Sequence, residues 1–134
     1  MWTCPECKRE FIKVNQSHSC GVFPLENHFA GKEEVGKPLF DEFVARVRAG
    51  VGPVRVDSPA CCIHLVKNST FAAVWVRKDR IKIDFRLERK IDSPRFTKMV
   101  HLSAKRYLYY MDIMSPEDMD AELMGWLKES YNLM

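Results

Sequence analysis

The chain has 134 residues, a net charge of +3, and apolar and charged fractions of 46% and 29%. These are ordinary values for a soluble globular protein, and they set the scale at one compact domain with a small appendage rather than a repeat array or low-complexity chain. No apolar run approaches the roughly eighteen residues of a membrane-spanning helix. The start lacks a secretory leader, so the expected setting is the cytoplasm, with no membrane partner.

The first informative stretch is Cys4-Pro5-Glu6-Cys7, followed by His18-Ser19-Cys20. Two thiols, an imidazole and a third thiol make a four-donor set for tetrahedral zinc. Pro5 pre-sets the turn between the first pair. The one-residue spacer places His18 and Cys20 on one face of an extended strand. A segment this short cannot bury a core alone, so the metal would supply its folding energy. Four protein ligands leave no open corner, which makes this a structural zinc rather than a catalytic one. A redox pair is the competing reading, but it calls for a strand–helix context and no third thiol with a histidine. The domain plan is therefore a zinc-ribbon-like element over 1–22, a connector over 23–36 and an α+β domain over 37–134.

Pro24, Gly31 and Gly36 punctuate the connector, which also holds His28 and Lys32. Lys37 to Ala49 reads as an amphipathic helix, with Pro38 in its first turn and Leu39, Phe40, Phe43, Val44 and Val47 on one stripe. Short strands follow at Val54–Val56, Cys61–Val66 and Phe71–Val76. The adjacent Cys61 and Cys62 read as small buried hydrophobes rather than a disulfide; with His64 they also offer the makings of a second metal site. From Arg80 to Leu87 the pattern alternates strictly, with Ile81, Ile83, Phe85 and Leu87 against Arg80, Lys82, Asp84 and Arg86. Asp92-Ser93-Pro94 opens a turn or short helix reaching Met99, and Arg106 to Ile113 is a last strand. Ser115, Pro116 and Asp118 predict the cap of a final helix whose buried stripe is Met119, Leu123, Trp126, Leu127 and Tyr131. The fold class is α+β: an antiparallel sheet of about five strands with two amphipathic helices on one face, plus the zinc element.

Several landmarks occur together: Trp2 to Cys7, His18-Ser19-Cys20, His28 to Lys32, Gly52-Pro53-Val54, Phe71-Ala72, Ser93 to Phe96, and Asp120 with Trp126-Leu127 and Tyr131. In this combination the whole chain resembles the bacterial family of domain of unknown function 5655, in its version with an N-terminal zinc element. The resemblance implies an α+β domain and no established activity. Related domains occur beside predicted nucleases, and the outline is similar to small iron-chaperone-like α+β proteins; neither likeness assigns residue roles.

Three surfaces are candidates. The segment 77–106 is strongly basic, and Arg80, Lys82 and Arg86 alternate outward beside Trp75 or the tyrosines 107, 109 and 110. Bases interleaved with aromatics on a sheet suit single-stranded nucleic acid; the plainer alternative is a solvated strand face. His28, Lys32 and Arg95 could together make an anion-binding or acid–base pocket. The plainer alternative gives His28 a backbone partner, Gly31 a tight turn, and Arg95 a carboxylate of the last helix. Asp84 with Glu88 and Lys90 faintly matches a metal-dependent nuclease pattern, but alternation puts the two carboxylates merely on one exposed face. The function expected is a zinc-binding, non-enzymatic module for a polyanion such as nucleic acid. Its competitors are an enzyme or anion pocket built on His28, Lys32 and Arg95, and an accessory module for a protein partner.

Overall fold

The computed structural model describes residues 2–5, 10–14, 24–59 and 61–134. Two strands of two residues, β1 (Trp2–Thr3) and β2 (Glu10–Phe11), pair antiparallel near the start, and the Trp2 and Phe11 rings lie 5.9 Å apart. A 3-10 turn over Leu25–His28 leads to α1 (Gly36–Gly50). A six-stranded antiparallel sheet follows: β3 (Arg55–Asp57), β4 (Ile63–Val66), β5 (Thr70–Val76), β6 (Ile81–Leu87), β7 (Phe96–Ser103) and β8 (Arg106–Ile113). Its spatial order is β3-β4-β5-β6-β8-β7, and α2 (Ala121–Leu133) closes the chain. The fold is α+β, as the periodicities require. No helix among the described residues is long and apolar enough to cross a membrane.

Both helices lie on one face of the sheet, each touching β5 and β6, and they touch each other. The α1 stripe is buried as its spacing demands: Leu39, Phe40, Phe43, Val44 and Val47 all join the core. Opposite them, Ile81, Ile83, Phe85 and Leu87 are fully buried, which is the alternation of β6 made physical. Phe85 sits among Phe96, Tyr109 and Trp126, all with ring centroids at 6.0 Å. Gly36 lets α1 approach the sheet, because a Cβ there would meet the Arg77 carbonyl and the Val76 side chain.

The strand over Phe96–Ser103 replaces the predicted turn or short helix, and it raises the sheet from about five strands to six. Its burial shows why the pattern concealed it: Thr97, Lys98, Met99, His101 and Leu102 are exposed, as on an edge strand with little to bury. The loop before it crosses past β8, pinned by Tyr109, whose hydroxyl donates to the Arg89 carbonyl at 2.9 Å and accepts from the Ile91 amide at 2.8 Å.

The last helix also starts later than its sequence signal suggests. Ser115, Pro116 and Asp118 belong to a separate 3-10 turn, where the Ser115 side chain caps no amide among the described residues. Asp120 is the cap of α2, its carboxylate accepting from the Leu123 amide at 3.0 Å.

A bulge lies where β4 meets β5. The register moves from Leu65↔Ala72 to Val66↔Thr70, which leaves Phe71 as the extra residue. Phe71 is fully buried and meets the Tyr131 ring edge-on at 5.2 Å. Nearby, Ser130 of α2 bridges two strands: its hydroxyl donates to the Phe71 carbonyl at 2.8 Å and accepts from the Arg86 amide at 3.1 Å.

Candidate functional site: the outer face of the sheet

The face away from the helices follows from the register. One row runs Asp57, His64, Ala73, Asp84, Tyr110 and Lys98 across β3, β4, β5, β6, β8 and β7. Beside it, Trp75 of β5 pairs with Lys82 of β6, which pairs with Asp112 of β8. Aromatic and basic groups gather here. The Trp75 and Tyr110 rings are 5.8 Å apart. The Lys82 Nζ lies 5.1 Å from the Tyr110 centroid, and the Lys98 Nζ 5.8 Å. Of the three tyrosines in the last strand only Tyr110 takes this side. Tyr109 is buried in the core, and Tyr107 pairs with Leu87 of the inner face and stacks on His101 at 4.4 Å.

Two arginines, Arg80 just before β6 and Arg86 within it, are engaged. Arg80 donates to Asp112 at 3.2 Å and to Asp79 at 3.3 Å. Arg86 donates to the Thr70 carbonyl at 2.7 Å. Lys82 shares an open notch of about 320 Å³ with Arg77, Asp79, Arg80 and Asp112.

Alternation placed Asp84 on an exposed face, yet it is only 8% exposed. Its Oδ1 accepts from the Ala73 amide at 3.0 Å. Burial pushes its carboxyl up to about 6, against the opposing pull of the Arg86 guanidinium and the Ala73 hydrogen bond. Burial likewise raises the Tyr110 phenol, and the Asp84 charge adds to it.

The two remaining thiols lie just before β4. Cys61 is exposed and Cys62 is buried, with their sulfurs 3.2 Å apart. Their sulfurs and a ring nitrogen of His64 all lie within 4.8 Å of one another, so this trio could hold a metal ion. Burial raises the Cys62 thiol first, and the hydrogen bond to Cys61 and the charges of Cys61 and Asp84 reinforce the effect. Of the two readings the sequence offers for these thiols, buried hydrophobes or a metal site with His64, the first fits Cys62 alone, since Cys61 is at the surface, and the spacing of the three donors fits the second. The usable signal was spacing, since Cys62, just before β4, and His64 are two apart in extended chain and share a face. His64 also lines a cleft of about 260 Å³ beneath the N-terminal hairpin, together with Glu10, Phe11, Arg55 and Asp57.

Of the N-terminal donors, Cys4 is described and buried, and it is not part of that trio. Cys7, His18 and Cys20 lie outside the described residues. The hairpin itself is tied to the sheet by Arg55, 3.6 Å from the Glu10 carboxylate.

Of the last three candidates, His28 and Lys32 are close enough for the Lys32 charge to act on the imidazole, and Arg95 is held by α2. A ring nitrogen of His28 is 3.0 Å from the Pro59 carbonyl; burial lowers this imidazole, that bond opposes the shift, and the Lys32 charge assists it. Lys32 lines a cleft with Gly31, Glu33, Glu34 and Lys78, where Gly31 takes a φ of +74°. Arg95 is clasped by α2 and the turn before it: its Nη1 donates to Asp120 at 2.9 Å and to Glu122 at 3.0 Å, and its Nη2 to the Asp118 carbonyl at 2.6 Å.

No curated protein and no solved structure matches the chain. The profile of one family, described as a domain of unknown function, matches residues 25–134, which takes in α1, α2 and the whole six-stranded sheet. The chain therefore belongs to that family, DUF5655.

Proposed function

We propose that this chain is a zinc-bearing, non-enzymatic intracellular module whose outer sheet face binds a polyanion, single-stranded nucleic acid first. The observation that carries the reading is the grouping of Trp75, Tyr110, Lys82 and Lys98 on one side of β5, β6, β8 and β7. Two half-buried rings offer stacking surfaces, and two ammonium groups offer contacts to phosphates; this pairing tolerates any base sequence. Lys98 is exposed and free to swing outward. The zinc, held by Cys4, Cys7, His18 and Cys20, orders the small N-terminal element, and an intracellular setting keeps its thiols reduced.

The test is titration of a fluorescent single-stranded oligonucleotide at low salt, repeated as salt is raised. The reading expects measurable binding that weakens along a straight line in log–log form, as phosphate contacts dictate. Lys82→Glu with Lys98→Glu should flatten that slope, and Trp75→Ala should weaken binding without changing it. Absence of binding at low salt would overturn the reading.

One observation favours a second reading, an accessory for a protein partner. Ile12 and Val14 are 69% and 72% exposed, an apolar pair beside the N-terminal hairpin. It gains if oligonucleotide binding is absent and Ile12→Ser with Val14→Ser removes the binding of a hydrophobic dye. Nothing comparable supports an enzyme built on His28, Lys32 and Arg95, since Arg95 is held by Asp120 and Glu122.

A further inference from the structure

We infer that Cys61, Cys62 and His64 form a metal site of their own, distinct from the N-terminal donors, and that its ion is zinc with one corner left to water or an added ligand. The site is built by strand geometry. Cys62 and His64 flank Ile63, whose side chain is fully buried in the core, so both donors turn to the outer face. Cys61 lies just before β4, where the chain is no longer held by ladder bonds and the thiol can swing to the same side.

Distances agree with one shared ion. Zinc–thiolate bonds of about 2.3 Å at tetrahedral angles put two sulfurs roughly 3.8 Å apart. The Cys61 and Cys62 sulfurs stand at 3.2 Å, and the whole trio spans no more than 4.8 Å, so small side-chain rotations would open room for an ion. A disulfide is the competing use of two close thiols. Neighbouring residues, however, hold their Cα atoms about 3.8 Å apart, below the roughly 4.4–6.8 Å that disulfides prefer.

The donor chemistry selects the ion. Two thiolates and an imidazole suit zinc far better than magnesium or calcium, which take oxygen. The row that holds His64 also holds Asp57, which pairs with Arg55 at 3.1 Å, and Asp84 beyond Ala73. Among the described residues the site has three donors, the pattern of a site with an open position, and exposed Cys61 puts that position at the surface. Cys4 is outside the trio, so this ion and the N-terminal zinc would be two separate equivalents.

The experiment uses the full chain, stripped of metal under reducing conditions and titrated with Co²⁺ and then Zn²⁺. Three proteins are compared: the wild type, Cys61→Ser with Cys62→Ser, and Cys4→Ser with Cys7→Ser. The proposal expects Cys4→Ser with Cys7→Ser to keep one equivalent and its thiolate–cobalt absorbance, and Cys61→Ser with Cys62→Ser to lose one equivalent relative to wild type. Cys61→Ser alone changes an exposed side chain and leaves the fold intact by circular dichroism. It should weaken the second equivalent by more than the roughly 10- to 100-fold that changes behind a metal ligand cause. An unchanged stoichiometry in Cys61→Ser with Cys62→Ser, or no metal retained by Cys4→Ser with Cys7→Ser, would overturn it. Either result leaves the oligonucleotide titration above free to stand or fall separately.

Discussion

The two faces of the sheet obey different rules. The inner face is apolar and closed: Ile81, Ile83, Phe85 and Leu87 of β6 are fully buried beneath the helices. The outer face of the same strand carries Lys82, Asp84 and Arg86, and it interleaves charge with half-buried rings. One strand thus serves two environments through nothing more than its two-residue period. The inner face supplies stability, while the outer face keeps groups that stability alone would not select, above all a buried carboxylate and a pair of thiols.

The largest effect should come from breaking the inner face. Phe85→Ala would remove a ring packed against Phe96, Tyr109 and Trp126 and leave a void between sheet and α2. Truncations of this kind cost about 3–5 kcal/mol. Denaturant unfolding should show that loss with little change in slope. A loss under about 0.5 kcal/mol, the scale of ordinary surface changes, would mean the ring cluster is not the keystone of the core.

Asp84 on the outer face should respond to pH in the opposite sense from most carboxylates. Its folded value is raised to about 6, from an ordinary 3.8, chiefly by burial. Between those values the folded protein keeps a proton that the unfolded chain has released. Stability from this group therefore falls as pH rises through that window, by roughly 3 kcal/mol at about 1.4 kcal/mol per unit. The Arg86 guanidinium and the Ala73 amide oppose that rise, and the carboxylate in turn adds to the rise that burial gives Cys62, just before β4, and Tyr110 of β8. Asp84→Asn keeps an oxygen for the Ala73 amide and removes the charge. In the presence of a chelator it should be more stable than wild type by about 1–3 kcal/mol at pH 8, with the gap closing toward pH 4. A gap that does not change with pH would place the cost elsewhere.

This contrast also sets what could be read from the residues alone. The inner face was legible because burial imposes a period: the stripe of α1 and the alternation of β6 stand where that period puts them, and in α2 Leu123 and Leu127 do, while Met119 lies before the helix and Trp126 and Tyr131 are half-buried. Strand β7 was not, because an edge strand that buries little carries little pattern. The start of α2 was misplaced because Ser115-Pro116 is a valid helix opening; it opens a 3-10 turn, and Asp120 opens the helix three residues before Leu123. Asp84 was assigned correctly to its face, but not to its burial, since a strand's period says which way a side chain points and nothing about what covers it. The trio of Cys61, Cys62 and His64 was legible as a possible metal site from its spacing, but the exposure of Cys61 was not, since it lies outside β4.

A smaller effect is expected at the seam between the helices and the sheet. Ser130→Ala would strand two backbone groups, the Phe71 carbonyl and the Arg86 amide, beside the bulge. An unsatisfied buried group costs about 1–3 kcal/mol, and a water entering the seam would bring the figure toward the lower end. Hydrogen exchange at Arg86 should speed up more than exchange at Ile83, which sits further along the strand. Equal acceleration at both would mean that Ser130 acts on global stability rather than on the bulge.

The smallest effect on stability should come from the outer face itself. Lys98→Ala removes an exposed ammonium that lies 5.8 Å from the Tyr110 ring and, among the described residues, bonds to no carboxylate. Surface changes of this type stay within about 0.5 kcal/mol, so the denaturation midpoint should barely move. Oligonucleotide binding should weaken all the same, because taking away one cation that meets a phosphate reduces the salt slope by about one. The two readouts separate the faces: a residue that alters binding and not unfolding belongs to the outer face in function as well as in position. If Lys98→Ala lowers stability as much as Ser130→Ala does, the outer face is a second structural layer, and the division of labour between the two sides of β6 does not hold.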